Sequence, residues 1–203
     1  MQSDPQCISC RWINSPSQVA GGLLWVGKHR KWTVNHYGSE QAILGWLALQ
    51  PVEHKLTLDD LSAETLDDLG SALGSVQRAM KRVWRQKFPK DPLERIHTVS
   101  FMESHFDGDD PHQEAKSYFH AHIFLIPRSL SLGKVIRRQL NGIEQYVPWD
   151  DHLIYQRIKN RSAEDLLEEN IPWDELAKYV KAAGEIKSKE DFMRELQQEL
   201  HRN

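Results

Sequence analysis

Apolar residues recur at spacings of mostly three and four between positions 62 and 88: Leu66, Leu69, Leu73, Val76, Met80, Val83 and Phe88. That period predicts one long amphipathic helix, with Ser62 as its N-cap and Pro89 and Pro92 beyond its end. Before it the runs are shorter. Residues 22–27 and 32–35 predict two short strands around the basic turn Lys28-His29-Arg30-Lys31, and residues 43–49 predict a third that stops at Pro51. After the helix, residues 95–103 read as a strand, the polar stretch 104–116 as a loop, and residues 120–128 as another strand. Strands, a long helix, then strands predict an α+β fold, with the helix packed on one face of a mostly antiparallel sheet.

Beyond residue 128 the pattern changes to linker and charge-rich helix. Residues 129–133 read as the linker. Pro172 opens a helix carrying Leu176, Tyr179 and Val180, with Gly184 as its stop; Ser188 caps a last helix carrying Phe192, Leu196 and Leu200. Pro148-Trp149-Asp150-Asp151 and Pro172-Trp173-Asp174-Glu175 echo each other as helix starts do. The chain therefore divides into residues 1–128, a sheet-and-helix domain, and residues 129–203, a helical C-terminal extension. Burial of Trp149, Trp173, Leu166 and Leu167 against the first domain is the expected use of the extension, with a dimer interface or closure over a substrate as the alternatives.

Composition narrows the class. The chain has 203 residues, 39% hydrophobic, and a net charge of -3, which suits a globular domain with no global attraction to nucleic acid or anionic membrane. No apolar run approaches the roughly 20 residues of a membrane span, and the polar N-terminus lacks a signal-peptide pattern. Its two cysteines stand together as Cys7-Ile8-Ser9-Cys10. Such a pair without a secretion signal suits a reducing compartment, the cytoplasm, and points to metal binding or redox chemistry.

The most informative segment is His120-Ala121-His122-Ile123-Phe124-Leu125-Ile126-Pro127-Arg128. On a strand, His120, His122, Phe124 and Ile126 share one face, and Phe119, Ala121, Ile123 and Leu125 the other. Two imidazoles side by side on an otherwise apolar strand suggest that the rings are used.

Three segments together resemble the histidine triad (HIT) family of nucleotide hydrolases and transferases. Gly45-Trp46-Leu47-Ala48-Leu49-Gln50-Pro51-Val52-Glu53-His54 is similar to that family's Gly-His-x-Leu-Val-x-Pro-x-x-His strand, with Trp46 where histidine is usual. Leu58-Asp59-Asp60-Leu61-Ser62-Ala63-Glu64 is similar to its approach to the long helix. Ser117-Tyr118-Phe119-His120-Ala121-His122-Ile123-Phe124-Leu125-Ile126-Pro127-Arg128 is similar to its signature of three alternating histidines followed by Pro-Arg. The match spans residues 7–128, a HIT-like domain, and leaves the tail outside.

The resemblance implies attack by His122 on the α-phosphorus of a purine nucleoside phosphoramidate or dinucleoside polyphosphate. A nucleotidyl-histidine forms and water resolves it. It assigns Ser117 to the phosphate and leaving group, places Lys116 where glutamine is usual, and sets Asn35 near the nucleotide. Phe124 is the departure: the family's third histidine, which lies against the scissile phosphate, is an apolar ring here. Activity is then weakened or redirected to an easier leaving group, or the chain is an inactive nucleotide-binding module. A homodimer is also implied. Trp25, Trp32 and Trp46 are candidates to reach a nucleobase.

Zinc-binding bacterial members of the family imply a metal set of Cys7, Cys10, His54 and His120. Two thiolates and two imidazoles would make a closed, structural zinc site. Free thiols in a frayed terminus are the alternative, with His97, His105 and His112 as rival ligands. A hydrolytic zinc on His120 and His122 is a third reading. His29, His36, His152 and His201 read as ordinary polar positions.

Overall fold

The computed structural model describes residues 5, 7–19, 21–37, 44–90, 92–100, 120–129 and 188–202. Five strands, β1 (Leu24–Val26), β2 (Trp32–His36), β3 (Leu47–Pro51), β4 (Leu93–Val99) and β5 (Ile123–Ser129), form one sheet of order β1-β2-β3-β5-β4. Every neighbouring pair is antiparallel. Helix α1 (Ile8–Asn14) precedes the sheet, α2 (Ala63–Lys87) lies between β3 and β4, and α3 (Lys189–His201) follows. The fold is α+β, with the mostly antiparallel sheet and single long helix that the HIT resemblance implies. Residues 130–187, with both Pro-Trp motifs and the helix expected at Pro172, lie outside the described residues.

Helix α2 starts as its sequence suggests. Ser62 Oγ accepts from Thr65 N, Glu64 sits in the first turn, and Arg85 and Lys87 in the last, each favourable to the helix dipole. Its buried face is rotated from the expected leucine stripe. It consists of Thr65, Asp68, Ala72, Val76, Ala79, Met80, Val83 and Trp84, while Leu66 stays 40% exposed. The reason is Asp68, a carboxylate 1% exposed that accepts the backbone N–H groups of His29 and Lys31, each at 3.0 Å. Those donors belong to the basic turn after β1. Gly27 enters the turn at φ +90, and a Cβ there would stand 2.2 Å from Asp68 Oδ2. No residue with a side chain fits.

Helix α3 belongs to the same core as α2. Phe192, Met193 and Leu196 are fully buried. Arg82 of α2 reaches the nearly buried Glu199 carboxylate at 2.7 Å and the Glu199 carbonyl at 2.8 Å, and Lys87 pairs with Glu195 at 3.2 Å. Satisfying a buried carboxylate this completely fixes the angle at which α3 lies on α2.

Residues paired across antiparallel strands project to the same face of the sheet. On the helix side lie Trp32, Val34, Leu47, Leu49, Ile123 and Leu125, all buried. The Trp32 indole donates to Thr65 O at 2.9 Å, so Trp32 is a core residue and not a contact for a nucleobase. His36, expected as a polar surface residue, is 3% exposed on this side. Its Nε2 accepts Gly45 N–H at 2.9 Å and its Nδ1–H donates to Tyr37 O at 3.0 Å. Burial holds its pKa below the ordinary imidazole value. On the other face, β2, β3 and β5 place Thr33, Asn35, Ala48, Gln50 and Phe124.

Both boundaries of β5 differ from expectation. β5 begins at Ile123, not His120, because the preceding residues bond elsewhere: Ala121 N–H donates to Lys55 O at 2.8 Å and the His120 ring to Pro51 O. Ser129, expected to start a linker, is the fully buried last residue of β5. Among the described residues, no helix is long and apolar enough to cross a membrane.

Truncating the Asp68 latch should be far more damaging than truncating the stripe position beside it. Asp68→Ala is expected to lower the urea-unfolding free energy by about 2–3 kcal/mol, because two turn donors lose a charged acceptor. Leu66→Ala is expected to stay within about 0.5 kcal/mol.

Candidate metal centre and adjoining histidine

The short helix α1 is built around its cysteines. Cys7 is the N-cap, and its sulfur accepts from Cys10 N at 3.4 Å, so both thiols turn to one side of the first helical turn. The other half of the site comes from the β3–β5 pair. Antiparallel pairing brings the residues after β3 next to those before β5, which is where His54 and His120 stand. Four chain positions separated by up to 113 residues therefore converge.

Their donor atoms all lie within 4.8 Å of one another. Cys7 Sγ is 3.4 Å from His120 Nδ1, Cys10 Sγ is 3.2 Å from His54 Nδ1, and Cys10 Sγ is 3.8 Å from His120 Nδ1. A tetrahedral metal with bonds of about 2.3 Å to sulfur and about 2.0–2.1 Å to nitrogen has S···N edges of about 3.6 Å. The observed separations bracket that value. Cys7, Cys10 and His120 are buried and His54 is half-buried.

The orientation of His120 supports the same use. Its Nε2–H donates to Pro51 O at 2.9 Å, so the lone pair is on Nδ1, the atom that faces the thiols. Burial lowers its pKa to about 4, which keeps the ring neutral and able to ligate. Burial also pushes the Cys7 thiol up to about 11. A neutral buried thiol is what a metal-free site imposes; a cation within bonding distance reverses that preference. The residues fit a metal ion, and Cys2His2 is a closed tetrahedral set.

His122 is not part of this group. Its Nδ1–H donates to the carbonyl oxygen of His120 at 2.9 Å, which puts the lone pair on Nε2. Ser100 Oγ donates to the His122 carbonyl at 3.2 Å, tying this stretch to the residue after β4. One face of the imidazole packs edge-to-face against Phe124, with ring centres 4.5 Å apart. Phe124 in turn meets Tyr37 at 5.1 Å and Trp46 at 5.7 Å, and those two rings stack at 5.2 Å. Trp46 and Phe124 thus meet in one buried aromatic cluster. Trp46, 1% exposed, is not a surface for a nucleobase.

Asn35 lies on the Phe124 face, 1% exposed, donating to His36 O at 2.9 Å and accepting from Gln50 Nε2 at 3.3 Å. Gln50 was not singled out from sequence, although the period of two along β3 puts it on the same face as Ala48 and Trp46. Ser117, Lys116, His105, His112 and His152 lie outside the described residues. His97 is on the edge strand β4 opposite Ile126, away from the metal donors. Trp25 lines a groove of about 420 Å³ with His29, Arg30, Lys31, Glu53 and Ser62.

No family model and no curated protein matches the chain. Some solved structures do, at low similarity. A HIT family protein from Bacillus anthracis is 18% identical at a TM-score of 0.43, over 78% of this chain and 97% of that one. A hypothetical protein from Leishmania major is 17% identical at 0.41, over 87% and 94%. A member of the HIT family from Bacillus subtilis is 19% identical at 0.40, over 77% and 97%.

Freshly purified protein is expected to carry about one divalent metal ion per chain by elemental analysis. Cys7→Ser should reduce that content and lower the melting temperature by several degrees, since the ion joins α1 to both strands. Metal-free protein with an unchanged melting temperature would contradict the site.

Proposed function

We propose that the chain is a nucleotidyl hydrolase or transferase in which His122 Nε2 attacks the α-phosphorus of a purine nucleoside phosphoramidate or dinucleoside polyphosphate. The observation that carries this reading is the His122 Nδ1–H···O=C bond to His120 at 2.9 Å. A nucleophilic imidazole needs its lone pair on the attacking nitrogen and its proton held on the other, and this bond supplies both conditions. Its half-buried setting leaves the ring approachable. Ser117 and Lys116 are the proposed donors to the phosphate oxygens, where they would stabilise the charge that builds in the transition state. Asn35 and Gln50, bonded to each other, are the proposed polar floor beneath the nucleotide.

Zinc is the metal we propose for Cys7, Cys10, His54 and His120, because two thiolates and two imidazoles in a tetrahedron suit it. With four protein donors the ion has no open position for water, so its role is structural. A homodimer is also proposed, and the exposed edge strand β4 supports it as the place where a second copy would extend the sheet.

Phe124 favours a second reading, a nucleotide-binding module with little turnover, since its ring offers no donor to a phosphoryl oxygen. One experiment separates the two. Purified protein is incubated with labelled adenosine phosphoramidate and diadenosine polyphosphates, with and without chelator. The enzyme reading predicts AMP release that persists through brief chelation and falls roughly 10³-fold or more in His122→Asn. Tight nucleotide binding with no product from either substrate would replace it with the binding module.

A further inference from the structure

The two imidazoles of the metal group are anchored by different routes. His120 is held through its own ring by Pro51 O. His54 stands in the segment that runs from the end of β3 at Pro51 to the N-cap of α2 at Ser62. That segment is tied down on both sides of the histidine: Val52 N–H donates to Lys31 O and Lys55 O accepts from Ala121 N–H, each at 2.8 Å. Immediately before His54, the Glu53 carboxylate reaches the start of α2. Its Oε1 accepts the backbone N–H of Ser62 at 2.9 Å and the Ser62 hydroxyl at 2.8 Å. A negative charge there also suits the N-terminal end of the helix dipole.

The helix end that receives Glu53 is itself fixed. Ser62 Oγ gives its hydrogen to Glu53, so it is the acceptor for Thr65, from the backbone N–H at 3.3 Å and from the hydroxyl at 2.9 Å. Buried Thr65 in turn accepts the Trp32 indole on its carbonyl at 2.9 Å. A continuous run of hydrogen bonds thus leads from the core of the sheet, through the first turn of α2, to the residue beside a metal donor.

We propose that Glu53 is a positioning residue of the metal centre: its carboxylate, clamped on Ser62, sets the backbone at His54 so that Nδ1 stays 3.2 Å from Cys10 Sγ. The inference rests on the reading of Cys7, Cys10, His54 and His120 as metal ligands. Three of these donors are buried, and packing limits their movement. His54 is half-buried, so its place depends more on the anchors of its neighbours, Glu53 and Lys55. The coupling is reciprocal: a cation that holds His54 also holds Glu53 against Ser62.

The test is cobalt(II) exchanged into the full chain, with affinity read by chelator competition and ligation by the visible spectrum. Outer-shell partners of metal ligands contribute about 10–100-fold, so Glu53→Ala should bind cobalt at least ~10-fold more weakly and alter the bands set by the fourth donor. Glu53→Gln, which keeps the Oε1 acceptor, should stay within ~3-fold of the native chain. Arg82→Ala, which loosens α3 on α2, should lower the melting temperature yet also stay within ~3-fold in cobalt affinity. Should Glu53→Ala fail to fold, the native chain alone decides, because cobalt loading should slow hydrogen exchange at the Ser62 amide at least ~10-fold. A loss below ~10-fold in Glu53→Ala, or Ser62 exchange unchanged by loading, overturns the positioning role and leaves the metal centre in place. Absence of cobalt binding by the native chain overturns the metal reading, and the role with it.

Discussion

Three separate attachments meet at His120. Its Nε2–H is tied to the Pro51 carbonyl at the end of β3, and its Nδ1 faces the thiols of Cys7 and Cys10. Its backbone oxygen holds the His122 ring. The residue thus joins the N-terminal helix, two strands and the proposed nucleophile through bonds of 2.9 Å and donor separations of 3.4–3.8 Å. A ring held through one nitrogen by a carbonyl can serve as a ligand only through the other, and a carbonyl is a fixed acceptor only if its own residue does not turn. The convergence of the metal-type donors and the orientation of the His122 imidazole are therefore two consequences of one restraint.

The remaining structure supplies the platform for that restraint. The sheet's helix face is filled with apolar side chains from α2 and α3 and closed by ion pairs at Glu199 and Glu195. Asp68 fastens the β1–β2 turn to α2. With that face committed to stability, the proposed chemistry is assigned to the opposite face and to the strand ends. There Thr33, Asn35, Gln50 and His122 are among the polar residues, and Tyr37, Trp46 and Phe124 form the wall. Within that wall Trp46 and Phe124 pack edge-to-face, and both are buried.

Much of this was legible in the sequence, and for identifiable reasons. The order Cys7, Cys10, His54, His120 marked a candidate ligand group through its resemblance to a known motif, and antiparallel pairing of β3 with β5 is what brings those positions together. The 3.6-residue period located α2, and its Ser62 cap is where it was expected. The rotation of its buried face was not legible, because a leucine at position 66 outranks an aspartate at 68 on any hydrophobic pattern. Only the backbone donors of His29 and Lys31, which take Asp68 as their acceptor, reverse that ranking. The burial of His36 and Trp32 was not legible for a related cause: the His36 ring bonds Tyr37 O and Gly45 N across a loop, and the Trp32 indole bonds Thr65 O, and such bonds leave no periodic trace. Tyr37, the residue after β2, joins Phe124 from 87 positions earlier in the chain, which no local pattern reports.

The direct test is the protonation pattern of the His122 ring, read by long-range proton–nitrogen NMR correlation on metal-loaded protein at mildly alkaline pH. The account predicts a neutral imidazole with its proton on Nδ1 and an unprotonated Nε2. A His122 ring carrying its proton on Nε2 would contradict it, since the nitrogen assigned to attack phosphorus would then have no lone pair to offer.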